Sequence, residues 1–206
     1  MLTGERQITL SVLQTRSALE RCSFEAFELC REDGVSYVEG RFCPALHGQR
    51  GLSPEAALEA VLEGSRRAQA APGLRAGVIV CAMRHHAVAE SVELARLAAR
   101  YAGRGVVGFD IAGPEAGFPA AQFREAYDIA RAAGLGLTAH AGEADGWRSV
   151  ESAIRELGVA RVGHGVALRE SEAVAQVSGV RGGGGGGARL TPGSWRASGA
   201  CAWRAA

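Results

Sequence analysis

LGLTAHAGE, residues 135–143, alternates Leu135, Leu137 and Ala139 with small or polar residues and then breaks at Ala141-Gly142. That is the pattern of a short buried strand running into a turn that glycine's backbone freedom makes tight. His140 and Glu143 therefore leave the strand end together, three residues apart. An imidazole and a carboxylate that converge at such a point can bind a metal or move a proton. Taken alone, the segment is equally well read as a satisfied histidine at a strand end beside a solvated glutamate. The neighbouring strands tilt that balance.

Working outward, AGVIVCAM (76–83) is a continuous apolar run of strand length, as expected where both faces are covered. GVVGFDIAG (105–113), RVGHG (161–165) and YVEGRFC (37–43) read as further strands. Helical spacing fills the gaps. One helix is predicted over 8–33, stopped by Gly34, and another begins at Ser53 as cap with Pro54 in its first turn and closes at Gly64. Further helices follow at 88–101, around Phe123–Ala130 and around Val150–Leu157. The strand starts recur at about 30 residues, one strand-plus-helix unit each. Five such units predict parallel strands, in an open sheet or a (β/α)-barrel. Polar residues lean toward the barrel. Asp110 and Gly113, His140 and Glu143, and His164 fall at the C-terminal ends of three successive strands, where a barrel collects its functional groups. The adjacent His85-His86 pair also follows a strand, with no preferred role.

A chain of 206 residues supports one substantial core or two small domains. With 47% apolar and 22% charged residues it has an ordinary globular composition. No apolar run approaches the roughly 20 residues of a membrane helix, so no membrane partner is expected. The N-terminus lacks the features of a secretory signal, and a cytoplasmic location is expected. Five scattered cysteines without a Cys-x-x-Cys pair predict thiols. A net charge of +1 with interspersed signs argues against a nucleic-acid partner. All 23 basic residues are arginine. The absence of lysine excludes Schiff-base chemistry and a P-loop, so any metal must be held by histidine and carboxylate. The organised domain is expected over 1–170. Residues 171–206, with six glycines at 182–187 and Trp195 and Trp203 outside any apolar period, are expected to be disordered.

VVGFDIAGPE (106–115), LTAHAGE (137–143) and RVGHG (161–165), in this order and spacing, resemble the adenosine deaminase family of metal-dependent (β/α)8-barrel hydrolases. YVEGRFCP and CAMRH resemble weaker family segments, and the likeness covers residues 8 to 170. It implies a partial barrel of about five β-α units and zinc-dependent deamination of adenosine or deoxyadenosine to inosine. His140 would be a zinc ligand, Glu143 would protonate a purine ring nitrogen, and His164 would orient and help deprotonate the zinc-bound water. Gly113 would lend its backbone to another ring nitrogen. Glycine before His164 resembles the adenosine enzymes, whereas adenine deaminases tend to carry aspartate there. The chain departs from the family in having no His-x-His pair and no Asp-Asp pair, so His140 is the one implied protein ligand present. Pro114 stands where relatives commonly have aspartate. These departures lead to the expectation of a copy truncated at both ends, its last residues disordered or read out of frame. Exposed barrel edges at 37–43 and 161–165 would then favour self-association. Two other functions remain open: an inactive barrel fragment, and a deaminase of adenine or a modified adenosine.

Overall fold

The computed structural model describes residues 4–174 and the pairs 188–189 and 204–205. Two helices open the chain, α1 (Gly4–Val12) and α2 (Arg16–Glu32), where the apolar spacing predicts one. The break has a local cause. Thr15 takes extended backbone, and its Oγ1 accepts the Ala18 N–H at 3.3 Å, capping a new helix. Buried Gln14 ties the linker down by donating to the Leu10 and Leu46 carbonyls at 2.8 and 3.0 Å.

The described residues divide into two compact units, one built on those up to Cys81 with Arg100–Val107 and the pair 204–205, the other on Ala82–Ala99 and the described residues from 108 to 189. In the first, α2 packs on α3 (Pro54–Ala68), which starts as expected with Ser53 accepting the Ala56 N–H and Pro54 in the first turn. Gly64 does not close this helix. A Cβ there would lie 2.3 Å from the Glu20 carbonyl oxygen and 2.8 Å from the Phe24 nitrogen. The glycine therefore lets two helix backbones touch, and the Ser23 hydroxyl donates to the Val61 carbonyl at 2.8 Å across the same contact. Strand β1 (Tyr37–Phe42) pairs in parallel with β2 (Arg75–Met83), Val38 opposite Ala76.

The second unit carries α4 (Val88–Arg100) up to Ala99, most of β3 (Val106–Ala112), α5 (Arg124–Ala132), β4 (Gly136–Ala141), α6 (Gly146–Leu157) and β5 (Arg161–His164). Pairings β3–β4 and β4–β5 are parallel. Its core is built around Phe109 and Tyr127, whose rings meet edge to face at 5.4 Å, a geometry aromatic pairs prefer. The buried Tyr127 hydroxyl donates to the Thr138 carbonyl at 2.6 Å, so a polar atom is satisfied while it fixes α5 to β4. Gly158 ends α6 in the left-handed conformation.

Within the second unit the hydrogen-bonded strands follow the order β5-β4-β3, and within the first β1 lies beside β2. Two-residue strands, Ala188–Arg189 on β5 and Arg204–Ala205 on β1, take up part of each outer edge. Apart from these pairs and residues 171–174, the expected disordered segment lies outside the described residues. No helix among the described residues is long and apolar enough to cross a membrane.

Candidate active site

The site begins with a register. Parallel pairing of β4 with β5 sets His140 opposite Gly163 and Ala141 opposite His164, so both histidines emerge at neighbouring strand ends. Their ring centroids are 5.2 Å apart with planes inclined at 50°. Asp110, two residues before the end of β3, is fully buried, and its Oδ2 lies 3.0 Å from His140 Nδ1. The same nitrogen is 3.0 Å from the Ile111 carbonyl oxygen. Two acceptors at one ring nitrogen favour the tautomer with the proton on Nδ1 and the lone pair on Nε2, the arrangement by which a carboxylate orients a metal-binding histidine. Asp110, which the sequence leaves readable as an isolated turn residue, is thus the partner of His140.

Glu143 follows the turn after β4, and its Oε2 lies 3.2 Å from His164 Nε2. The imidazole is 12% exposed and the carboxylate 61%, so the pair has a sheltered end and an end open to a ligand. His164 has φ of 63°, the left-handed region that is costly for a non-glycine residue, and Gly165 follows at 61°. Gly113 stands just past β3 with φ of 98°. Its conformation favours glycine, and a Cβ there would press on His85 Nδ1 at 3.0 Å. Of the residues that the sequence singles out, the structure groups His140, Glu143 and His164, with Gly113 at the end of the adjoining strand.

Two charged residues escape the sequence reading. Glu115 is 3% exposed and accepts the Gly142 and Glu143 N–H groups, each at 2.9 Å, on its two oxygens. Burial pushes its carboxyl up. Hydrogen bonds from the Glu143 N–H, Ser149 and the Gly142 N–H, with the charge of Arg84, outweigh burial and hold it below the ordinary carboxylate value. Arg84 is 1% exposed and donates to the Phe118 carbonyl at 2.6 Å and the His140 carbonyl at 2.9 Å. Burial lowers its pKa, while Tyr127, Glu115, Asp110 and Asp145 pull the other way. Both residues sit inside family-like segments, yet a buried charge with partners distant in sequence leaves no local signature.

A catalytic zinc takes about three protein ligands and keeps an open position. His140, backed by Asp110, suits one of them. No group of three or more His, Cys, Asp or Glu able to hold a metal occurs among the described residues. Those residues fit a single ligand and do not complete a zinc centre.

Parallel β-α units with histidine and carboxylate gathered where the strands end define a protein of the (β/α)-barrel class. A sequence model of the adenosine deaminase family matches residues 5–178, and the chain belongs to that family. It is 42% identical over 166 residues to a probable adenosine deaminase of Dictyostelium discoideum, covering 81% of this chain and 22% of the relative. It is 46% identical over 165 residues to an adenosine deaminase of Mycobacterium avium, covering 78% of this chain and 44% of the relative. The chain therefore spans less than half the length of these curated relatives. Among solved structures it resembles a zinc-bound amidohydrolase from Burkholderia ambifaria, with a TM-score of 0.74 and 30% identity, covering 79% of this chain and 45% of that one. It also resembles the adenine deaminase of Arthrobacter aurescens, with a TM-score of 0.73 and 26% identity over 81% and 51% of the two chains.

Proposed function

We propose that this chain carries the proton-transfer groups of a cytoplasmic purine-metabolism site for the hydrolysis of adenosine and deoxyadenosine to the inosine nucleosides and ammonia, a site that turns over only when metal ligands beyond His140 complete it. The observation that carries this reading is the Glu143–His164 contact of 3.2 Å beside the Asp110-backed His140. Replacing the amine of a cyclic amidine by water requires a proton on the ring nitrogen, removal of a proton from the water, and a proton for the departing amine. Glu143, the more exposed partner, reaches the ring nitrogen and donates the first proton, which makes the adjacent carbon electrophilic. His164 accepts the proton of the attacking water. Their mutual contact gives that proton a route to the leaving amine through the carboxylate that the first transfer has emptied, and as the amine leaves and the carbonyl forms, the hydroxyl proton returns to Glu143 and regenerates the acid. The Gly113 backbone, unobstructed by a side chain, meets another nitrogen of the purine. His140 is the zinc ligand in this reading; no group of three or more ligands that would complete its site occurs among the described residues, and each proton movement stands on this chain's own groups. Thiols at Cys22, Cys30, Cys43 and Cys81 suit a reducing compartment.

The likeness to an adenine deaminase supports a second reading, with the free base as substrate. Relatives at 42–46% identity that are adenosine deaminases favour the nucleoside. The incomplete ligand set supports a third, an inactive chain that acts through interactions, self-association included. The test is a chimera in which residues 5–178 replace the aligned part of the Mycobacterium avium relative, assayed with zinc on adenosine, deoxyadenosine and adenine. The nucleoside reading predicts inosine formation with adenine turned over poorly. Preference for adenine supports the second reading, and a well-folded chimera without turnover the third.

A further inference from the structure

The Glu143 side chain is largely exposed, so something other than burial must fix where it stands. Its backbone is held from two sides by charges that are themselves out of water. On one side, Gly142, at φ of 75°, turns its own N–H and that of Glu143 onto the two oxygens of Glu115, both at 2.9 Å. Successive N–H groups aimed at one anion form a concave nest, and Ser149 adds a third donor to the same carboxylate. On the other side, Arg84 holds the His140 carbonyl, immediately before the turn, and the Phe118 carbonyl, three residues beyond Glu115. A cation from the end of β2 and an anion from the end of β3 thus grip the same four residues of β4 and its turn. Burying charge is costly unless hydrogen bonds compensate, and apolar residues of like volume would fill the space at less expense. The retained charges need a function that packing alone does not explain.

We propose that Arg84 and Glu115 are positioning residues that fix the backbone from His140 to Glu143 and so set the Glu143 carboxylate against His164. Their part in deamination rests on the reading of Glu143 as proton donor. Glutamine at 115 keeps the size of the side chain but has one acceptor oxygen, and it turns an NH2 group toward the second N–H. A space-filling role would be rescued by it, and a two-point grip would not.

The test uses the full chain and NMR. In Glu115→Gln, amides inside β3, β4 and β5 are expected to keep their protection from hydrogen exchange. Gly142 and Glu143 should exchange at least about tenfold faster, as loss of a buried hydrogen bond implies. The His164 ring signals should move toward those of Glu143→Gln, where the contact itself is altered. Arg84→Lys, which offers a point charge in place of a fork, is expected to act in the same direction, and it stands in if Glu115→Gln does not fold. In the unaltered chain, scalar couplings across the hydrogen bonds should connect the Gly142 and Glu143 nitrogens to the Glu115 carboxyl carbon. Wild-type exchange in both variants, unmoved His164 signals despite freed amides, or missing couplings would each overturn the proposal. None of these readouts is a turnover, so failure of the deaminase reading would leave them unchanged, and their failure would leave that reading standing.

Discussion

Replacing Gly142 by alanine tests whether the turn that delivers Glu143 is built as described. The residue has φ of 75°, a conformation that costs an L-residue about 1–2 kcal/mol. The new Cβ would lie 2.5 Å from Val150 Cγ2, with Ala167 at 3.5 Å closing another way out. Val150 is fully buried on α6 and β-branched, so it cannot swing aside freely. Overpacking of this kind costs about 1–3 kcal/mol. The sum is roughly 2–5 kcal/mol, a large share of the 5–15 kcal/mol by which domains are stable. Gly134→Ala is the matched control, because its φ is 76° and nothing lies within 4 Å of the added methyl. It should cost only the conformational part, about 1–2 kcal/mol. Urea unfolding followed by circular dichroism would read both as shifts in midpoint at constant slope. If Gly142→Ala cost no more than Gly134→Ala, the packing of Val150 beneath the turn would be refuted.

Other substitutions probe the remaining structure. Gly64→Ala should destabilise by about 1–3 kcal/mol in thermal unfolding, although alanine is the better helix former by about 1 kcal/mol, because the methyl meets backbone of α2; a stabilised variant would disprove the close helix contact. His47 is 1% exposed, with Nδ1 bonded to the Leu13 carbonyl, and burial lowers its pKa from 6.5 while that bond opposes the shift. A depressed folded value means that its contribution to stability is present above about pH 6.5 and is lost as pH falls through the folded value, at up to about 1.4 kcal/mol per pH unit. His47→Asn should flatten stability between pH 7.5 and pH 5.5, and an unchanged slope would contradict this. The chain itself should purify with far less than one zinc, measured by elemental analysis, and should form negligible inosine, since His140 alone cannot hold a catalytic ion. Stoichiometric zinc with robust turnover would show that the ligand assignment is wrong.

The strands were legible because burial on both faces leaves continuous apolar runs such as AGVIVCAM, and glycine marks their ends. His140, Glu143 and His164 were legible for a related reason: strand ends are predictable, and polar residues at them stand out. Thr15 was hidden within an apolar period that runs across the cap, so two helices read as one. Gly64 carries the same letter whether it ends a helix or admits a neighbour, and only the approach of α2 distinguishes the two. Glu115 and Arg84 were missed because their partners lie 27 to 56 residues away, and nothing in local spacing reports a hydrogen bond over that separation.

The most direct test of the proton donor is Glu143→Gln in the chimera with the Mycobacterium avium relative, with zinc content and inosine formation measured on the same sample. An amide at 143 cannot give a proton to the purine, and removing a general acid costs about 10²–10⁴-fold in rate. The account predicts stoichiometric zinc with turnover reduced by at least about a hundredfold, and loss of both zinc and turnover in His140→Ala. Turnover in Glu143→Gln equal to that of the unaltered chimera, or full zinc in His140→Ala, would contradict it.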